Sequence, residues 1–102
     1  MSPYLLASGF AISAHNIILD RGLGHQKLIH QYLQNAKSEL VNAPANNLTD
    51  SDEAAIGEAC MQIVVAQEAV TKLDVGVATL ALEVVVGCLE SVIGKEPLQT
   101  WD

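Results

Sequence analysis

A chain of 102 residues, half of them hydrophobic and 17% charged, has the composition of one folded domain and not of a disordered segment. Its net charge of −7 disfavours direct binding to DNA, RNA or an anionic membrane, all of which attract clustered Lys and Arg. The charge is uneven, because residues 1–49 hold three bases against two acids and residues 50–102 hold two bases against ten acids. With so few polar side chains to cover the outside, we expect some apolar surface to be hidden by association.

Residues 3–19 are predicted to form the first helix, with Ser2 as a candidate N-cap and Pro3 at the first helical position. Apolar residues occupy most sides of this segment, and Gly9 lowers its helix propensity. Whether the segment is helical throughout therefore stays open. No basic residue precedes the apolar run, no cleavage site follows it, and it is short for a bilayer span. We therefore expect a cytoplasmic protein without a signal peptide or a membrane segment.

The second predicted helix, residues 25–41, is the clearest amphipathic segment, and a polar connection containing Pro44 follows it. Its apolar residues recur at steps of three and four, which predicts one face toward a core and one toward water. The residues on the apolar face are Leu28, Ile29, Tyr32, Leu33, Ala36 and Leu40.

An acidic cluster marks the start of the third helix, predicted over residues 51–73. Asp50 and Glu53 have the spacing of a capping box, and carboxylates are favourable at the positive end of the helix dipole. Around Asp74 and Gly76 two interpretations stay open. Either the helix ends and Asp74 caps a fourth helix, or one bent helix continues.

The fourth helix, residues 75–93, is apolar around most of its circumference, leaving a polar strip of Thr79, Glu83 and Glu90. It is too long for a strand, although its valines favour one. A helix this apolar is either central in its bundle or shared between subunits. Because the three other helices are of modest length, we expect it to be shared between subunits. We predict an all-α bundle of three to five helices in a single domain, residues 1–102, completed by oligomerisation.

The tail of residues 95–102 follows Gly94 and Pro97, which end the fourth helix. It carries the only tryptophan, a residue type that often dominates interface energy. Folding of the tail onto its own domain and docking on another chain both stay open. The candidate interface residues from the fourth helix and the tail are Leu80, Val84, Leu89, Val92, Leu98 and Trp101.

Catalytic and cofactor signatures are missing from the sequence. His25 and His30 are five residues apart, which separates them by about 140° on a helix, whereas shared coordination needs three or four. The acids after Thr49 lack the glycine and the distal glutamate of a calcium loop. No nucleophile elbow or phosphate-binding loop occurs. We expect no enzyme, no cofactor and no metal site.

The resulting hypothesis is a non-enzymatic regulatory or accessory protein, such as an inhibitor, adaptor or scaffold of the kind that phages and mobile elements carry. Its expected partners are a second copy of itself and another protein. One alternative is an acidic nucleic-acid mimic that blocks a DNA- or RNA-binding protein, supported by the acids of residues 50–102. A less favoured alternative is a small-ligand or metal site inside the bundle, where His15, His30 or Cys60 converge.

Overall fold

A computed structural model describes residues 3–43 and 48–93, which contain four helices. These are α1 (Pro3–Arg21), α2 (Gln26–Asn42), α3 (Asp50–Thr71) and α4 (Val75–Ile93). The predicted all-α bundle is confirmed, and no strand occurs in the described ranges. Helices α1 and α3 each pack against both α2 and α4, whereas the diagonal pairs are not in contact. The chain thus runs up, down, up and down around a square, so every neighbouring pair is antiparallel.

The first helix is continuous from Pro3 to Arg21, which answers the question that its poor periodicity left open. It ends at Gly22, whose φ of 67° is the left-handed conformation that glycine adopts without steric cost. The Gly22 N–H donates to the Ile18 carbonyl at 2.8 Å, satisfying one of the last free acceptors of the helix.

Helices α3 and α4 are separate, joined by a tight turn at residues 72–74. Leu73 has a φ of 61°, its N–H donates to the Val70 carbonyl at 3.1 Å, and the Asp74 N–H donates to the Ala69 carbonyl at 2.8 Å. These two bonds form a Schellman motif. Asp74 then caps α4, because its Oδ1 accepts from the Val77 N–H at 3.1 Å. The two-helix interpretation is confirmed, and α3 ends two residues earlier than predicted.

The capping box of α3 begins one residue before the predicted one. Thr49 is the N-cap, and its Oγ1 accepts from the Asp52 N–H at 3.1 Å while Asp52 Oδ2 accepts from the Thr49 N–H at 3.2 Å. The pairing of Asp50 with Glu53 is therefore wrong. Thr49 has the extended backbone that an N-cap needs, and its partner is an aspartate at the position where the usual motif has Glu or Gln.

Replacing Thr49 by Ala is expected to lower the free energy of unfolding by about 0.5–2 kcal/mol, the usual loss when an N-cap side chain is removed. Urea unfolding followed by circular dichroism measures the change. Ser51→Ala is the matched control, since Ser51 is exposed in the first turn and takes no part in the box. Equal losses for the two variants would contradict the capping role.

The core of the bundle is built largely from small side chains. Ile29, Leu33, Ile63, Leu82 and Leu89 are fully buried and supply most of its volume. Nine alanines fill the positions between them, which brings the helix backbones close together and leaves little room for larger side chains. The buried alanines are Ala7, Ala11, Ala14, Ala36, Ala59, Ala66, Ala69, Ala78 and Ala81.

Candidate functional site

The four candidate interface residues of α4 divide between the core and the surface. Leu89 and Val92 are 0% and 1% exposed, so the chain's own core already covers them. This corrects the expectation that they contact another subunit. Leu80 and Val84 are 64% and 42% exposed and face outward. The two tail candidates, Leu98 and Trp101, lie outside the described residues.

The exposed apolar residues of α4 continue onto α3 and form a single surface. We call this surface the α3–α4 face and define it by Met61 and Val65 on α3 and by Val77, Leu80 and Val84 on α4. All five side chains are exposed, and Met61 reaches 63%. On each helix they are three or four residues apart, which places them in one stripe along that helix.

The two stripes lie beside each other because of the antiparallel register of α3 and α4. Met61 and Val84 are about equally far along the chain from Leu73, as are Val65 and Leu80, so each pair lies at one level of the hairpin. The same register places Glu58 of α3 near Cys88 of α4. Two neighbouring helices therefore present one apolar surface outside the core.

Carboxylates border the α3–α4 face along both helices. Glu58 precedes Met61 by three residues, Glu68 follows Val65 by three, and Glu83 follows Leu80 by three. Residues three apart are neighbours on a helix surface. The three exposed acids Glu58, Glu68 and Glu83 are called the acidic rim below, and Glu83 lies at its outer edge, toward α1. Lys72, at the turn between the helices, is the one basic residue among the described residues 50–93.

A groove of about 350 Å³ lies on the opposite flank of α4, between α4 and α1. His15 Nε2 is buried in it without a hydrogen-bond partner and lies 3.7 Å from Glu83 Oε2. The separation is too long for a hydrogen bond, although a protonated histidine would be attracted to the carboxylate. The residues lining the groove are Ile12, His15, Leu82, Glu83, Val86, Gly87 and Glu90.

The proposed convergence of His15, His30 and Cys60 does not occur. His15 lies between α1 and α4, whereas His30 lies between α2 and α3, with its Nε2 3.3 Å from Thr71 Oγ1. Cys60 lies on α3 near Lys37 of α2. Within residues 3–43 and 48–93, no group of three or more potential metal ligands comes together.

Both cysteines are free thiols in partly buried positions on α3 and α4. Burial raises the pKa of Cys60, an effect that Lys37 partly offsets. Burial also raises the pKa of Cys88, and the nearby Glu58 carboxylate raises it further. A raised pKa lowers the thiolate fraction at neutral pH, so neither thiol has the character of an activated nucleophile.

Alkylation of Cys60 and Cys88 by iodoacetamide is expected to rise with pH through a midpoint above that of the same cysteines in the urea-unfolded chain. The reason is that burial disfavours the thiolate that reacts. Mass spectrometry of each cysteine peptide across a pH series gives both profiles, and comparing midpoints separates the pKa from simple shielding. A midpoint at or below the unfolded value would contradict the burial described here.

The acids that would imitate nucleic acid are partly used by the fold. Asp52 is 4% exposed and belongs to the capping box of α3, and Asp74 caps α4. The other described acids of residues 50–93 are exposed and spread along α3 and α4.

Helix α4 is, among the described helices, the one long and apolar enough to cross a membrane. One third of its apolar window is buried inside the bundle. Core helices of soluble proteins pass the same test of length and composition, so the result is weak evidence for a membrane span. Glu83 and Glu90 lie within the helix, and carboxylates are costly in hydrocarbon.

Sequence reasoning identified Leu80 and Val84 but missed Met61, Val65 and Val77. The missed signal on α3 is Met61 and Val65, two apolar residues four apart that lie outside the stripe facing the core. Val77, Leu80 and Val84 repeat at steps of three and four on the outer side of α4. Apolar residues on a helix side that does not face the core are typical of helices that also contact a second partner.

No protein-family model, curated protein or solved structure matches this chain.

Proposed function

We propose that this chain is a non-enzymatic accessory protein that acts by binding another polypeptide through the α3–α4 face. The observation that carries the proposal is the exposed apolar surface of Met61, Val65, Val77, Leu80 and Val84. Scattered single hydrophobic residues are normal on a protein surface, but a contiguous apolar patch bordered by polar residues is typical of interaction sites. An inhibitor, adaptor or scaffold would each use such a surface without bond chemistry.

The turn at the end of the face supports the same proposal. Leu73 occupies the left-handed position of the Schellman motif, where a residue other than glycine costs about 1–2 kcal/mol of backbone energy. Gly22 occupies the corresponding left-handed position after α1. Leu73 is 67% exposed, so its side chain gains little from burial in this bundle. A leucine in this costly position is consistent with a contact made outside the chain.

A second copy of the chain and a different protein are both candidates for the contact, as the sequence led us to expect. The net charge of −7 and the acidic rim favour a different protein, because two copies meeting at this face would bring like charges together. Light scattering of the purified chain over a range of concentrations measures the mass and tests self-association directly.

Affinity purification from the native host tests the proposal with one variant and one control. Leu80→Lys places a charge at the centre of the face, and Leu19→Lys places it on α1, where Leu19 is 63% exposed and outside the face. We expect the same binding protein to be recovered with the wild type and with Leu19→Lys, and to be reduced at least about tenfold with Leu80→Lys.

Circular dichroism and urea unfolding first establish that both variants are folded. Equal recovery of every binding protein with the wild type and Leu80→Lys would contradict a role for the α3–α4 face. Loss of recovery with both variants would mean that added charge, and not its position, disturbs binding.

A further inference from the structure

We infer that the occupant of the α3–α4 face is an amphipathic helix whose apolar stripe is flanked by Lys or Arg. The inference rests on the proposed function and identifies the chemistry of the partner. It follows from the juxtaposition of one uncharged apolar surface with carboxylates along both of its helices.

The shape of the face suits a helical occupant. Its two stripes belong to neighbouring antiparallel helices, and a third helix can lie against both, as helices do when they pack with side-chain ridges in grooves. Met61 and Val65 would contact one side of the incoming apolar stripe, and Leu80 and Val84 the other. This is the helix-in-groove mode, in which anchors three and four residues apart enter an apolar surface.

The carboxylates at the edges of the α3–α4 face determine which charge should flank the apolar stripe of that helix. On the α3 side the incoming helix would meet Glu68, and on the α4 side it would meet Glu83, while Glu58 lies between the two helices at the end of the face, near Cys88. All three are exposed, and Lys72 at the turn is the one base among the described residues 50–93. Exposed ion pairs add little affinity each, but complementary charge speeds encounter and rejects partners of the wrong sign.

The same charges argue against the other occupants. A second copy would bring its own acidic rim to the face, and like charges brought together are unfavourable. An anionic lipid surface would be repelled by the same carboxylates. A basic amphipathic helix satisfies the apolar centre and the acidic edges together.

Two synthetic helical peptides of about five turns test the inference with the full chain. Both carry the same leucine stripe, and they differ only in having Lys or Glu at every flanking position. Fluorescence anisotropy of each labelled peptide gives a Kd. We expect the Lys peptide to bind at least about tenfold more tightly than the Glu peptide at low salt, with the difference shrinking as salt screens the charges.

Two variants locate the binding. Leu80→Lys is expected to weaken binding of the Lys peptide at least about tenfold, whereas Leu19→Lys leaves it unchanged. The double variant Glu68→Lys, Glu83→Lys is expected to remove most of the preference for the Lys peptide without unfolding the chain, because both residues are exposed.

Equal Kd values for the two peptides, or no binding of either, would overturn the inferred partner chemistry. A purified chain with the mass of two copies that Leu80→Lys converts to one would also overturn it and assign the face to a second copy. The proposed function fails separately, when Leu80→Lys leaves recovery of the host protein unchanged.

Discussion

Replacing Leu89 by Ala is expected to lower the free energy of unfolding by about 2–5 kcal/mol. Leu89 is fully buried, so the substitution removes apolar contacts and leaves a cavity that the bundle only partly closes. Urea unfolding followed at 222 nm measures the loss. A change of this size is a large part of the stability of a domain with about 100 residues.

Leu80→Ala is the matched control on the same helix, because Leu80 is 64% exposed. The same change of side chain is expected to alter the free energy of unfolding by less than about 1 kcal/mol. Similar losses at the two positions would show that the inward and outward sides of α4 have been assigned wrongly.

Replacing Ala66 by Leu is expected to destabilise the bundle by about 1–3 kcal/mol. Ala66 is fully buried on α3, and the alanines of the core leave the facing helices too close for a larger side chain. The larger side chain forces its neighbours into unfavourable rotamers or displaces a helix. The free energy of unfolding in urea measures the effect.

Ala54→Leu is the corresponding control, since Ala54 lies on the same helix and is exposed. Leucine and alanine have similar helix propensities, so its free energy of unfolding is expected to stay within about 0.5 kcal/mol of the wild type. A loss at Ala66 no larger than the loss at Ala54 would contradict the close packing of the core.

The helices themselves could be predicted from local features of the sequence. The one-sided stripe of Ile29, Leu33 and Leu40 defined α2, and Pro3 with Gly22 bounded α1. The end of α3 was harder, because the residue with positive φ is Leu73 and the usual signal there is glycine. The start of α4 at Asp74 was only one of the two interpretations that the sequence left open.

The orientation of α4 could not be predicted from its periodicity. Leu80 and Leu89 are identical in type and both belong to apolar stripes, yet one is exposed and the other is fully buried. Which stripe faces inward depends on the helices that pack against it. Alanines such as Ala11 and Ala66 were also missed as core residues, since a small side chain gives a weak hydrophobic signal at any position.

The α3–α4 face is a property of two helices together. Met61 and Val65 look like ordinary exposed residues when α3 is considered alone, and the periodicity of α4 alone does not separate the exposed Val84 from the buried Leu89. Only the antiparallel register places them on one surface, with the acidic rim around it. The prediction that the fourth helix carries apolar residues outside the core identified Leu80 and Val84. The structure adds Met61 and Val65 on α3.

The central claim, that another polypeptide covers the α3–α4 face, is tested most directly by hydroxyl-radical footprinting. Oxidation of Met61 and Leu80 is compared between the purified chain and the chain labelled in cells of its native host, with Leu19 as the internal reference. We predict that Met61 and Leu80 are protected several-fold in cells while Leu19 is oxidised equally in both samples. Equal oxidation of all three residues in the two samples would contradict the claim.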